Sequence, residues 1–328
     1  MNPRRMQRGA ALLMAMLTVT LVATFAAAAM WQQWRGVEVE QAERDRVQSA
    51  WILTGALDWA RLILREDMKS GGADYLSEPW AVPLEEARLS TFLAAEKGVT
   101  TVGAGDDTLD AFLSGQIIDL QSLLNINNLV DKGKASDNGL RSFSRLFGLL
   151  GLPPEQLARL SENLRFASDA SAANRSSPLA PLMPQRVEQL VWLGLPAETV
   201  AVLQPYVTVL AAPTATPVNL NTARAEVIYA SIDGITLADA QRLVAERDRA
   251  PLRTLADAAR VLGREASALG DQIGIASSYF ESRGRLRLGR TIVEERSVLQ
   301  RGGNDVRAIQ RERGVIEAPA PGTTLPAR

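Results

Sequence analysis

The chain has 328 residues, 46% of them hydrophobic and 22% charged, with a formal net charge of -1 and neither cysteine nor histidine. Catalysis through histidine or cysteine, imidazole or thiolate zinc sites and disulfide frameworks are therefore excluded, and the charge balance argues against bulk attraction to nucleic acid or acidic lipid. Carboxylate chemistry, hard-cation sites or no chemistry at all remain open, at a length that suits two or three compact units.

Ala10 to Met30 is a run of 21 residues without a charge, preceded by Arg4, Arg5 and Arg8 and followed by Trp31 and Trp34. As a helix it spans roughly 30 Å, the hydrocarbon thickness of a bilayer, with the tryptophans at the far interface. The arginines are expected to stay cytoplasmic, which places nearly everything after residue 35 across the membrane. A secretory signal peptide cut near Ala26 to Ala29 is the alternative. Two details favour an anchor. The basic leader ends in Arg8-Gly9 directly against the apolar run, and helical spacing continues beyond it. Val47, Trp51, Thr54, Leu57, Arg61 and Leu64 recur at four and three, with Glu40, Glu43, Arg44, Asp45 and Arg46 on the other face. One helix from about Ala10 to Asp67, roughly 85 Å long, is expected.

The pattern breaks at Ser70-Gly71-Gly72, and a mixed segment with Tyr75, Pro79, Trp80 and Pro83 follows. Gly103 to Asp107 reads as a loop. Its Asp106, Asp107 and Asp110 lack the bracketed spacing of an EF-hand, so a solvated loop is the expectation there. Gln116 to Leu120 reads as a short strand, followed by Asn125, Asn127 and Asn128 around Ile126 and Leu129. From Arg141 to Leu210 the text is helical. Gly151-Leu152-Pro153-Pro154-Glu155, Gly194-Leu195-Pro196-Ala197-Glu198 and Gly234-Ile235-Thr236-Leu237-Ala238 each put a glycine and an aliphatic residue before a helix start. In the first two, proline is expected in the first turn and glutamate at the positive end of the dipole. Spacings of about forty residues predict stacked helical hairpins.

Val218-Asn219-Leu220-Asn221-Thr222-Ala223, continued by Glu226-Val227-Ile228 and the Gly234-Ile235 turn, looks like a helix-hairpin-helix unit. DNA-binding examples hold a phosphate on the hairpin amides, between two glycines. Here the second glycine position holds Thr236, Asp233 adds a negative charge, and residues 218–263 carry six arginines against six acids. A packing module without a nucleic-acid ligand is expected. From Ser278 onward the period falls to two: Leu286 and Leu288, Ile292-Val293, Val298-Leu299 and Val306 to Ile309 predict three antiparallel strands joined at Gly289 and at Gly302-Gly303-Asn304-Asp305. Ala318 to Arg328, rich in proline, alanine and threonine, is expected to be disordered.

The leader and apolar run resemble those of type IV pilins and pseudopilins. That resemblance implies cleavage by a prepilin peptidase between Gly9 and Ala10 and N-methylation of Ala10. The fifth residue after the cut is Met14, where most pilins carry a glutamate that pairs with a neighbour's terminal amine inside the membrane. Four pieces in order resemble the minor pseudopilin K (GspK) family of the type II secretion system. They are the glycine-ended leader without the glutamate, Glu78-Pro79-Trp80-Ala81-Val82-Pro83-Leu84, the segment Ser114 to Gln121 with Asn125 to Leu129, and Val218 to Ala223.

The resemblance implies an α+β, pilin-like fold, with a long N-terminal membrane helix, a small antiparallel sheet and a large all-α insertion of helix-hairpin-helix or SAM-like units. The expected division is a leader at 1–9, a transmembrane part at 10–36, a periplasmic helix and αβ segment at 37–115, helical units at 116–215 and 216–275, C-terminal strands at 276–315 and a tail at 316–328. It further implies a non-enzymatic subunit of the inner membrane, N-terminus cytoplasmic and bulk periplasmic, that caps the pseudopilus tip and helps start its assembly. Its partners would be pseudopilins I and J, the prepilin peptidase and the inner-membrane assembly platform. Family members often carry an acidic loop associated with calcium. The corresponding Leu164 to Pro184 holds only Asp169, which puts calcium there in doubt, and no cofactor is expected. Two other classes stand beside this reading: a membrane-anchored helix-hairpin-helix DNA-binding protein, and an envelope enzyme working through carboxylates such as Asp119.

Overall fold

Sixty-four residues without a proline, Gln7 to Ser70, wind as one helix (α1) about 96 Å long. The computed structural model describes residues 7–90, 111–169, 171, 174, 177–289 and 291–317. The helix stops where Gly71 and Gly72 take positive φ values of 64° and 111°, as the Ser70-Gly71-Gly72 break predicts. Its buried stripe is Ser49, Leu53, Leu57, Ala60 and Leu64. The expected stripe holds only from Leu57 upward, for Val47 and Trp51 are 54% and 73% exposed. The sheet explains the difference. A Cβ on Gly284 would lie 3.2 Å from Cδ2 of Leu53, so the missing side chain admits Leu53 at this level and turns Trp51 outward.

Five antiparallel strands lie side by side in chain order: β1 (Leu84–Arg88), β2 (Ala111–Asp119), β3 (Tyr279–Leu288), β4 (Thr291–Gly302) and β5 (Asp305–Glu317). The last three are the strands expected from the alternating pattern, and the turn glycines Gly289 and Gly303 both take positive φ. The early strand differs from expectation. It begins at Ala111, not Gln116, and ends at Asp119, so the sheet's share of the chain reaches Asp119 and the helical insertion starts at Leu120. β1 has no strand signature in the sequence, because Leu-Glu-Glu-Ala-Arg has no β-branched residue, and it forms as a short edge strand. One face of the sheet closes on α1 through Leu53, Leu57, Ala60 and Leu64. Behind them Trp80 is 1% exposed, with its ring edge-on to Phe280 at 5.1 Å.

The insertion, residues 120–278, interrupts a meander between two strands that remain paired. Asp119 and Phe280 are partners in register, so the chain leaves and re-enters the sheet at adjacent positions. Its helices are α2 (Asp137–Leu149), α3 (Pro154–Ser168), α4 (Ala197–Leu203), α5 (Ala225–Ser231), α6 (Leu237–Arg249) and α7 (Leu255–Leu262). Gly151, Gly194 and Gly234 have φ of 67°, 86° and 70°, each just before a helix start. The prolines sit slightly differently from expectation: Pro153 and Pro196 are N-caps, and Pro154 alone occupies the first turn. Nor is the stretch to Leu210 wholly helical. Val187–Leu193 is a 3-10 segment, and Val207–Thr208 pairs in parallel with Leu124–Asn125. One apolar core runs through both halves of the insertion, from Phe143 and Leu146 to Val227, Ile228 and Leu243. Asp106, Asp107 and Asp110, and the tail from Ala318, lie outside the described residues.

Candidate functional site

Gly9, Ala10 and Met14 lie within the first turns of α1, with no break in the helix between Gly9 and Ala10. From Ala10 to Val37 every residue is exposed, Met14 at 65%, and the span starting at Ala10 has a mean hydropathy of 2.2 in its most apolar window. An exposed apolar surface of this length is stable only in lipid or against other apolar helices.

At the opposite end of the helix the structure gathers polar side chains from four parts of the chain. Asp119, at the end of β2, is 3% exposed. Its Oδ2 accepts from Thr222 Oγ1 at 2.6 Å, Ser277 Oγ at 2.7 Å and Asn219 Nδ2 at 3.0 Å, and its Oδ1 from the Gln121 amide at 2.7 Å. Burial pushes its carboxyl up to about 6, against the pull of the Thr222 and Ser277 hydroxyls and the Gln121 amide. Asn219 also donates to the Asp74 carbonyl at 3.1 Å, and the Ser277 amide donates to Asp74 Oδ2 at 2.6 Å. Gln121 crosses the joint too, donating to the Pro217 carbonyl at 2.8 Å and accepting from the Ser278 amide at 2.6 Å.

Arg301, from the β4–β5 hairpin, lies beside this group. It donates to Asp67 Oδ2 at 2.7 Å, to Asp74 Oδ1 at 2.6 Å and to the Ser277 carbonyl at 2.7 Å. Asp67, Asp74 and Glu78 offer oxygens within 4.8 Å of one another, but a guanidinium already occupies this cluster and Glu78 is engaged by Trp80 Nε1 at 2.8 Å and the Tyr75 amide at 3.0 Å. Burial, then Glu78 and Asp74, pushes Asp67 up to about 6 against Arg301. The arrangement is a brace built around the buried Asp119, Asn219 and Ser277. Asp119 thus has a role as a structural anchor for hydroxyl and amide donors.

The asparagine motifs have one shared function. Asn125 accepts from the Leu210 amide at 3.0 Å and donates to its carbonyl at 3.1 Å. Asn128 does the same for Thr216 at 3.0 and 2.8 Å, and Asn221 for Leu252 at 2.9 and 2.9 Å. Each side-chain amide stands in for a strand neighbour and satisfies a buried peptide group. The hairpin between α5 and α6 turns its carbonyls to the protein: Arg264 donates to the carbonyls of Asp233, at 2.9 Å, and Gly234. The Asp233 carboxylate pairs with Arg141 at 3.2 Å and Arg145 at 3.4 Å on α2. Within residues 164–184, Asp169 accepts from the Ser171 amide at 2.9 Å and so closes a local turn.

Two models of the type II secretion system protein K match this chain, one over residues 122–212 and the other over 218–276. Over those residues the chain matches the minor pseudopilin K family. Type II secretion system protein K of Pseudomonas aeruginosa is 27% identical, covering 98% of this chain and 97% of the relative. That of Pectobacterium carotovorum subsp. carotovorum is 24% identical over 95% and 98%. The crystal structure of the GspK-GspI-GspJ complex from enterotoxigenic Escherichia coli contains a chain with the same fold, at a TM-score of 0.62 and 17% identity, covering 84% of this chain and 98% of that one. The two family models meet the insertion on either side of the short link between Ala212 and Val218, so the asparagine motif Asn125 to Leu129 lies at the start of the first half, and Val218 to Ala223, which supplies Asn219 and Thr222 to the brace, opens the second. Pseudopilin K is a structural component of the secretion machinery, and the one long apolar helix among the described residues fits anchoring in the inner membrane.

Proposed function

We propose that this subunit caps the periplasmic pseudopilus and helps to start its assembly, with pseudopilins I and J as its neighbours. The supporting observation is the position of the insertion. It joins the sheet beside Asp67 and Asp74, at the end of α1 remote from the apolar run, so residues 120–278 stand over the far end of the rod. A subunit built this way leaves no room above its sheet for another pilin-like sheet, whereas the lower part of α1 stays free to enter a bundle of apolar helices. Met14 supports the same reading, since a subunit without the carboxylate of the fifth position does not neutralise the amine of a neighbour inside the membrane. Association in the membrane then rests on close packing through the small residues Ala10, Ala11, Ala23 and Ala26 to Ala29.

In this reading the prepilin peptidase cuts between Gly9 and Ala10 on the cytoplasmic side, Ala10 is N-methylated, and the inner-membrane platform takes up the processed subunit with its bulk in the periplasm. Mass spectrometry of the protein purified from membranes is expected to give an N-terminus at methylated Ala10 and to find pseudopilins I and J retained with it. An N-terminus near Met30, or purification without either neighbour, overturns the proposal.

A further inference from the structure

The face of the sheet turned away from α1 carries a groove of about 910 Å³ that crosses all five strands; at this level Leu84, Gly115, Gly284, Glu295 and Arg313 are in register, and the side chains of Glu295 and Arg313 turn to the opposite, α1 face. Across the groove floor runs the row Gln116, Arg283, Arg296 and Glu312, again cross-strand neighbours in sequence. Arg283 and Arg296 are directly opposite each other. Like charges in that relationship repel, and the described residues compensate them poorly. Both guanidiniums share one carboxylate, Glu281, which Arg283 contacts through Nε and Arg296 reaches at 3.6 Å. Glu281 is nearly buried beneath them, while Arg283 and Arg296 remain 46% and 45% exposed.

Two further arginines line the same groove. Arg186 leans over its rim from the insertion and pairs with Glu312 at 3.0 Å, and Arg285 faces Glu294 at 3.7 Å. Four guanidiniums thus meet three carboxylates, with the surplus on the opposed pair.

We infer that this groove docks an extended acidic segment of a partner protein, with a carboxylate seated between Arg283 and Arg296. A guanidinium pair matches a carboxylate through parallel N–H donors, and a second charge-bearing oxygen relieves the repulsion that Glu281 leaves. The length is suitable. Five strands about 4.8 Å apart span roughly 19 Å, or about six residues of extended chain. The surface is independent of the tip reading, because it lies on the side of the sheet that α1 and its membrane run do not use.

The test uses the full chain in detergent micelles and a fluorescein-labelled peptide of alternating glutamate and serine, read by anisotropy. Saturable binding is expected. It should weaken at least fivefold in Arg296→Gln, which leaves Glu281 paired with Arg283, and at least threefold in Arg186→Gln on the rim. A control variant, Arg242→Gln on α6, should bind as the parent does. Equal binding of a glutamine–serine peptide, parental affinity in both groove variants, or full displacement by low-millimolar inorganic phosphate overturns the inference, the last by making the site one for a free anion.

Discussion

The Asp119 carboxylate and the Thr222 hydroxyl meet at 2.6 Å across 103 residues of sequence, and both are buried. Asp119 belongs to the sheet and Thr222 to the insertion. The same carboxylate holds Ser277 on the returning chain, so one side chain ties the exit, the interior and the re-entry of residues 120–278. A rigid joint at this point fixes the direction in which the insertion projects from α1.

Replacing this carboxylate should therefore cost more than one hydrogen bond. Asp119→Ala leaves the donors of Thr222, Ser277, Asn219 and Gln121 without their acceptor, at a cost on the order of 3–5 kcal/mol. Asp119→Asn keeps the shape and lets the hydroxyls turn, and should cost about 1–2 kcal/mol. Denaturant unfolding followed by circular dichroism checks both. A double-mutant cycle with Thr222→Ala should show strong coupling, and additive effects would contradict the tie.

The periodic elements were legible because their causes are local. The uncharged run, the Gly71-Gly72 stop, the turns at Gly289 and Gly303 and the glycines before α3, α4 and α6 are written in adjacent residues. The joint was not. Its Asn219-Leu220-Asn221-Thr222 stretch is visible as a motif, but the partners Asp74, Asp119, Ser277 and Arg301 are scattered along the chain, and no spacing announces a buried brace assembled from them. In the sequence Asp119 reads as part of a short strand, of the Ser114 to Gln121 motif and as a carboxylate open to chemistry. Its four donors and lack of solvent access explain it as architecture.

Acidity should act on the joint in a definite direction. Asp67 and Asp119 both sit up at about 6 in the folded protein, above the ordinary value near 3.9. A raised carboxyl favours folding in its protonated form, so this contribution is complete below about pH 4 and is lost as pH rises through about 6. Asp239, Asp257 and Asp305, held low by Thr236, Thr254 and the Val306 amide, work the other way, their contribution being lost only as pH falls below about 4. The melting temperature of the full chain should thus fall between pH 5 and pH 7. Asp67→Asn should flatten that slope.

A steric test lies in the insertion. A Cβ at Gly139, in the first turns of α2, would meet the Asn128 carbonyl oxygen at far less than contact distance, the Asn128 carbonyl carbon at 2.8 Å and Leu129 Cα at 3.1 Å. All three are backbone and cannot swing aside. Gly139→Ala, normally favourable in a helix, should here destabilise by about 1–3 kcal/mol. Gly148→Ala, on the same helix with nothing within 4 Å, should be neutral or stabilising. Equal effects of the two would mean that α2 does not approach residues 128 and 129 so closely.

The lower attachment of α1 to the sheet depends on Glu295. This side chain is 4% exposed on the helix-facing side of β4, where it receives Arg311 Nε at 2.6 Å and Arg313 Nε at 2.8 Å from β5. Arg311 passes the connection on to Thr54 Oγ1 at 2.8 Å, so a buried carboxylate holds two guanidiniums against the helix just above its exposed stretch. Removing the acid leaves both cations beside an apolar surface without a counter-charge, and Glu295→Ala should cost about 3–5 kcal/mol. The loss should be local before it is global. Amide hydrogen exchange is expected to quicken first at residues 50–57 of α1, while Leu64, held by the Trp80 and Phe280 cluster, keeps its protection. Uniform loss of protection along α1 would instead show that helix and sheet separate as one unit, with no special role for the Glu295 clamp.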